Sequence, residues 1–327
     1  MLKIYLMAMI ISLVLALILG AVLLPLLKKI GIGQPILKYV EIHKVKSGTP
    51  TMGGLFFIIP CSICYLIFFG IKKRLALVGL AIGFAFMLVG ITDDFIKVKL
   101  KTNEGLKPYQ KIIFQTAIAV VTGIFCYVNK ITQIFIPFTK NQIDIGFLII
   151  PLVAFVFIAI VNCVNLTDGL DGLAGSVSFC YVLWIFLLIF AQLSFSTTYA
   201  SAEEREGILG LCSCLMGGLL GFLAFNQNKA KVFMGDTGSL SLGGLIGAIS
   251  IFSGNTFIIP ILGFTFVMSG VSVIIQVLYF KKTKKRIFLM APIHHHFQQK
   301  GLTETQISYI YSLVTCIIGA GCLIFYL

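Results

Sequence analysis

Phe225-Asn226-Gln227-Asn228-Lys229-Ala230-Lys231-Val232-Phe233-Met234-Gly235-Asp236-Thr237-Gly238-Ser239-Leu240 is a polar, glycine-containing loop with a single carboxylate, wedged between two long apolar runs. Apolar stretches of about 18 or more residues recur on both sides of it, the pattern of a polytopic helical membrane protein. Composition agrees: of 327 residues, 58% are hydrophobic and 11% charged, with a mean hydropathy of +1.03. A soluble domain is nearer about half apolar and a quarter charged. The expected fold class is therefore all-α, with the whole of 1–327 forming a single transmembrane domain.

The net charge of +13 would suggest nucleic acid in a soluble protein, but here the basic residues flank the apolar runs. Membrane orientation explains them, and no nucleic-acid partner is expected. All nine cysteines lie in or beside apolar runs, so they read as small core hydrophobes rather than metal or redox groups. Lys3 followed by the apolar Ile4–Leu27 is too long for the core of a signal peptide and reads as a first span.

Ten spans are expected, near 4–27, 52–71, 75–92, 111–128, 147–164, 173–193, 207–225, 239–253, 257–280 and 307–326. The shortest, 239–253, carries Gly243, Gly244 and Gly247 and should pack inside the bundle, where small residues let helices approach closely. Loops after odd-numbered spans hold 18 of the 25 lysines and arginines, the remaining segments 7. The positive-inside rule then puts the odd loops in the cytoplasm and both termini outside, although Lys72-Lys73-Arg74 argues the other way locally. On that map His43, His294, His295, His296 and five of six aspartates are cytoplasmic, Asp144 being the exception. An active site is expected from the cytoplasmic loops 28–51, 92–111, 164–173, 226–239 and 281–306.

Each loop has a chemical and a plain reading. In 43–54, glycines and Pro50 fix a turn where Lys46 could meet an anion; the plain reading is a membrane anchor with a helix cap. Asp93-Asp94 must face water, a cation or a partner rather than lipid. If the helix continues, Lys97 shares a face with Asp93, and the plain reading is a surface pair worth about 0.2–0.5 kcal/mol. Asn165, Asp168 and Asp171 recur every three residues, which would align them on one helical face in a loop with no lysine; the plain reading is Asp-Gly turns at span ends. Amides around Gly235-Asp236-Thr237-Gly238 could approach phosphate while Asp236 holds Mg²⁺. No Walker A loop is present. Consecutive His294, His295 and His296 do not share a helical face, so they suit hydrogen bonding to a polar head group better than a zinc site. Carboxylates, lysines, amide-rich turns and histidines, with no Ser-His-Asp set, suit Mg²⁺-assisted phosphoryl transfer at a membrane face.

Five stretches together resemble the MraY family, the phospho-N-acetylmuramoyl-pentapeptide transferases of the polyprenyl-phosphate N-acetylhexosamine-1-phosphate transferase superfamily. They are GTPTMGG at 48–54, the Asp93-Asp94 segment, NLTDGLDGLA at 165–174, FMGDTGSL at 233–240 and APIHHHF at 291–297. The resemblance implies transfer of phospho-N-acetylmuramoyl-pentapeptide from its UDP-linked donor to undecaprenyl phosphate. The products would be lipid I and UMP, and the setting peptidoglycan synthesis at the bacterial cytoplasmic membrane. It further implies Mg²⁺ on Asp236, Asp93 as base or binder of the lipid phosphate with Asp94 in support, and Asp168, Lys97 and Lys111 in the catalytic centre. Lys46, Thr51, Asn165, Gly169, Leu170, Asp171, Asn226 and Phe233 would bind the nucleoside side, and His294, His295 and His296 the sugar-phosphate or peptide. A homodimer is also implied. Two departures, Tyr39-Val40 where relatives have Gly-Pro and Lys229 where many have proline, concern loop shape. Direct attack by the lipid phosphate and a two-step route through an aspartyl phosphate both remain open. The rival readings are a polyprenyl-phosphate N-acetylglucosamine-1-phosphate transferase and, outside enzymes, a secondary transporter.

Overall fold

The computed structural model describes residues 2–30, 48–100, 105–193 and 201–326, so Lys46 and His43 lie outside the described residues. The helices are α1 (Leu2–Ile30), α2 (Leu55–Phe69), α3 (Arg74–Leu100), α4 (Pro108–Val128), α5 (Ile149–Thr167) and α6 (Leu173–Gln192). They continue as α7 (Ala202–Asn226), α8 (Gly235–Phe252), the single turn α9 (Ile259–Leu262), α10 (Phe264–Thr283), α11 (Ile293–Gln299) and α12 (Glu304–Ile324). A two-stranded antiparallel hairpin, β1 (Gln133–Phe135) with β2 (Gln142–Asp144), interrupts the helical scheme between α4 and α5.

Among the described residues, eight helices are long and apolar enough to cross a membrane. Of the other two expected spans, α2 has only 15 residues, and α8 is buried along its whole length. Small residues explain that burial. A side chain at Gly243 would meet the backbone of Val161, one at Gly244 the ring of Phe86, and one at Gly247 the ring of Phe157. Thus α8 is the hub, gripped by α3 and α5, as its glycine pattern predicted. Large apolar side chains stay exposed on the outer faces of α1, α4, α10 and α12, including Ile18, Val121, Leu278 and Ile317. Hydrocarbon around the bundle accounts for them; water would not.

Two expectations about local shape are corrected. The expected ninth span is broken at Gly263, where α9 ends and α10 begins; a side chain there would meet the Ile259 carbonyl and the rings of Phe266 and Tyr181. The Asn165–Asp168–Asp171 alignment also fails. Helix α5 ends at Thr167, and the chain turns through Asp168 to Gly172, which takes a left-handed φ of 74°. Asp171 therefore points elsewhere than Asn165.

The ends of α3, α5 and α7 and the starts of α2, α4, α8 and α12 gather at one end of the bundle. At the other end, Glu204 of α7 accepts hydrogen bonds from the first amides of α3, at Arg74 and Leu75. Both ends of the described chain lie there too: Tyr5 stacks on Phe69, and Phe325 packs on Phe138 beside the hairpin.

Candidate active site

Helix α3 does continue past the expected span end, which puts Lys97 one turn beyond Asp93 with 2.7 Å between Lys97 Nζ and Asp93 Oδ2. Lys111, in the first turns of α4, reaches Asp93 Oδ1 at 3.0 Å. Both lysines also meet Asp236 Oδ2, Lys97 at 3.2 Å and Lys111 at 2.5 Å. The consecutive helices α3 and α4 therefore share one ionic centre with α8, more than a hundred residues on. The turn before α4 closes over it: the Leu106 amide donates to Asp93 Oδ1 at 2.7 Å, and Gly105 packs directly on that carboxylate.

Asp94, adjacent in sequence, does a different job. Its carboxylate accepts from the amides of Asp236 (3.2 Å) and Thr237 (2.9 Å) and from the Thr237 hydroxyl (2.7 Å). Those amides open α8 and have no partner within that helix, so a side chain of α3 caps α8. A negative charge there also complements the helix dipole. Gly235, at φ 70°, wedges between Asp94 and the Thr51 hydroxyl, where a Cβ would have no room. At Gly90 the approach is closer still, since a Cβ would strike the Asp236 carbonyl.

From α5, Asn165 Nδ2 donates to Asp236 Oδ1 and to Ser239 Oγ, each at 2.8 Å. Asp168 follows at the helix end. Burial, then the carboxylates of Asp236, Asp94 and Asp171, hold its carboxyl well above the usual range, with Lys97 opposing. Asp171 ties loops together: its carboxylate accepts from the Ala230 amide at 3.0 Å, and its own amide donates to Glu304 at 2.8 Å. Asn226 bridges the Gly172 amide and the Val232 carbonyl. Phe233 exchanges backbone hydrogen bonds with Pro50 and Gly53, which lays the segment 50–54 beside 233–234 with buried Thr51 between them. The Leu170 side chain goes into the hydrophobic core, so only its backbone remains for a ligand.

The triple-histidine stretch forms α11, which docks on the same end. Gly169 lets His294 and His295 bring their Nε2 atoms close to its Cα. His294 is buried with no hydrogen-bond partner on either ring nitrogen, and burial followed by the proximity of His295 keeps it neutral well below its usual range. His296 turns away, accepting from the Leu289 amide at Nδ1 and packing edge-on to Phe288. The three neighbours thus serve two faces, as helical geometry requires.

Asp93, Asp94, Asp168, Asp236, Lys97, Lys111 and Asn165 converge, with Gly169, His294 and His295 alongside. Sequence reasoning read the 235–239 turn for its backbone amides and passed over the side chains of Thr237 and Ser239, and Glu304 altogether. Ser239 could have been found as the residue three beyond Asp236 on one helical face, and Glu304 from the capping box Thr303–Gln306 that starts α12.

Asp93, Asp94 and Asp236 each bring a carboxylate oxygen within 4.8 Å of the others, all three residues being buried. With two lysines the five groups sum to one net negative charge, and ionised Asp168 adds a second. Buried carboxylates in excess, all hard oxygen donors, fit a divalent cation of the Mg²⁺ type.

Residues 76–254 match glycosyl transferase family 4, and residues 46–58 match the phospho-N-acetylmuramoyl-pentapeptide-transferase signature 1. Relatives named phospho-N-acetylmuramoyl-pentapeptide-transferase are similar along almost the whole chain. That of Clostridioides difficile (strain 630) is 41% identical, covering 94% of this chain and 94% of the relative. That of Thermoanaerobacter sp. (strain X514) is 41% identical over 97% of each. That of Clostridium botulinum (strain Alaska E43 / Type E3) is 42% identical over 93% of this chain and 92% of its own.

Proposed function

This chain belongs to glycosyl transferase family 4 and within it to the phospho-N-acetylmuramoyl-pentapeptide transferases, and from that membership we propose how its site works. It transfers phospho-N-acetylmuramoyl-pentapeptide from the UDP-linked donor to undecaprenyl phosphate, giving lipid I and UMP in peptidoglycan synthesis. The observation that carries the reading is the buried centre of three aspartates and two lysines, lying in a chain alike from end to end to such transferases.

Asp236, with Asp93 and Asp94 beside it, would hold Mg²⁺, which when bound would supply Lewis-acid neutralisation of the donor diphosphate. The residues of the chain do the rest. Lys97 and Lys111, now shared between Asp93 and Asp236, have charge to offer phosphate oxygens. Asp93 takes up any proton left on the lipid phosphate and orients it. An oxygen of that phosphate then bonds to the sugar-bearing phosphorus as the bond to the bridging oxygen breaks, and UMP leaves with that oxygen. Asp94 fixes the start of α8, and hence Asp236, while Asp168 provides a further carboxylate at the rim. Thr51, Asn165, Gly169, Leu170, Asp171, Asn226 and Phe233 form the nucleoside side, Phe233 stacking on uracil, with Lys46 assigned by its motif alone. His294 and His295, beside Gly169, serve the sugar-phosphate or peptide, while His296, on the other face of α11, holds the 288–289 loop instead.

The same reading puts ten segments across the bacterial membrane, with the aspartate end facing the cytoplasm and both termini outside. Eight apolar helices, the alternation of helix ends and the bias of lysine and arginine support it. Family resemblance extends it to a homodimer.

Its test is UMP release by purified protein with undecaprenyl phosphate and Mg²⁺. UDP-N-acetylmuramoyl-pentapeptide should be used and UDP-N-acetylglucosamine refused. Release only with the latter would keep the centre and overturn the donor assignment.

A further inference from the structure

The structure assigns a second binding site, on the far side of α11 from the aspartates: a cleft for the phosphate headgroup of an anionic phospholipid. The cleft, about 470 Å³, lies between the end of α10, the loop after it and α11, with Gln276, Phe280, Lys281, Arg286, Met290 and Gln299 in its lining. That volume falls in the ordinary range of ligand pockets, about 300–1,000 Å³. Its walls are built rather than incidental. Gln276 Oε1 accepts from the amides of Ile287 (3.1 Å) and Phe288 (3.0 Å), and its Nε2 donates to the Phe288 carbonyl at 3.2 Å. One side chain thereby folds the loop back onto α10. Arg286 Nη1 donates to the Leu289 carbonyl at 3.3 Å, which holds the guanidinium on the cleft side of the same loop.

Charge and polarity select the occupant. Lys281, Lys282, Lys284, Lys285 and Arg286 form a basic run, and among the described residues none of the five pairs with a carboxylate. Directly beside it, Ile274, Leu278, Ile287 and Leu289 are exposed. Apolar surface giving way to unpaired cations marks the boundary between hydrocarbon and water. A diacyl phospholipid of net negative charge satisfies both halves: its phosphate meets Lys281 and Arg286, and its chains cover the apolar flank. A zwitterionic lipid brings its own ammonium and gains less.

The site is distinct from the one that takes the donor. His294 packs against Gly169, whereas Gln299, five residues on, lines the cleft. At about 100° per residue those two side chains stand roughly 140° apart round α11.

The experiment is native mass spectrometry of the full chain, delipidated in neutral detergent and titrated with dioleoylphosphatidylglycerol or dioleoylphosphatidylcholine. One phosphatidylglycerol per chain should bind saturably, at least ten-fold more tightly than phosphatidylcholine. Lys281→Gln/Arg286→Gln should weaken it at least ten-fold, while Lys282→Gln/Lys285→Gln, the same charge removed outside the cleft lining, should not. In the wild-type protein phosphatidylglycerol should also slow amide exchange across 287–291. Equal weakening by both double variants would mean a diffuse basic surface and would overturn the site. So would equal binding of the two lipids. Displacement by undecaprenyl phosphate, the UDP-linked donor or inorganic phosphate would give the cleft to another ligand and reject the assignment.

Discussion

Asp168 is where residue chemistry and stability pull in opposite directions. Its carboxylate forms no hydrogen bond or ion pair among the described residues, and burial plus three neighbouring carboxylates raise its pKa. A raised carboxyl pKa means that the folded state binds the proton more tightly than the unfolded chain does. The associated stability is therefore complete below about pH 4 and is lost as pH rises through the folded value. Asp168→Asn should raise the Tm of protein kept metal-free with EDTA at neutral pH, flatten its dependence on pH, and abolish UMP release. Differential scanning fluorimetry against pH checks the first two, and an unchanged Tm profile would contradict the account of the carboxylate. Asp168 was legible as a candidate because its loop has acidic groups and no lysine, and the structure brings it near Asp236 and Asp94. The distinct duty of Asp94 was not, because adjacent aspartates look alike until the start of α8 is seen beneath one of them.

At the scale of elements, α8 depends on α3 for its cap and on glycine for its approach. Asp94→Ala leaves the amides of Asp236 and Thr237 unpaired in a buried place, a loss of about 2 kcal/mol or more. Thr237→Val removes one of the same bonds, so the pair of changes should cost less than the sum of the singles in a double-mutant cycle. Additive effects would mean that the bonds do not cooperate. Gly90→Ala pushes a methyl at the Asp236 carbonyl, so α3 must retreat; about 1–3 kcal/mol of stability and most of the activity should go. Normal UMP release by Gly90→Ala would show that the spacing of α3 and α8 is not critical. Helix-forming segments were readable in the sequence from apolar runs alone, and the burial of α8 from its glycines. The hairpin between α4 and α5 was not, since three-residue strands leave no period to read. Nor was α11, whose histidines divide between Gly169 on one face and Phe288 on the other.

For the whole molecule, all the proposed chemistry lies at one end of a bundle whose opposite end carries the hairpin and both described chain ends. In a cysteine-free background, Asn141→Cys in the hairpin should react with a membrane-impermeant maleimide in intact cells, and Lys284→Cys only after permeabilisation. The reverse pattern would invert the orientation drawn from the lysines and arginines. That Asp236, with Asp93 and Asp94 beside it, holds the divalent cation is the proposal on which all the chemistry turns. It is tested most directly by titrating Mn²⁺ into the purified, metal-free protein and counting bound ions by electron paramagnetic resonance. One saturable ion per chain, displaced by Mg²⁺ and lost in Asp236→Asn while the protein stays folded, is the predicted result. An ion bound equally well by Asp236→Asn would contradict the claim and move the metal away from this centre.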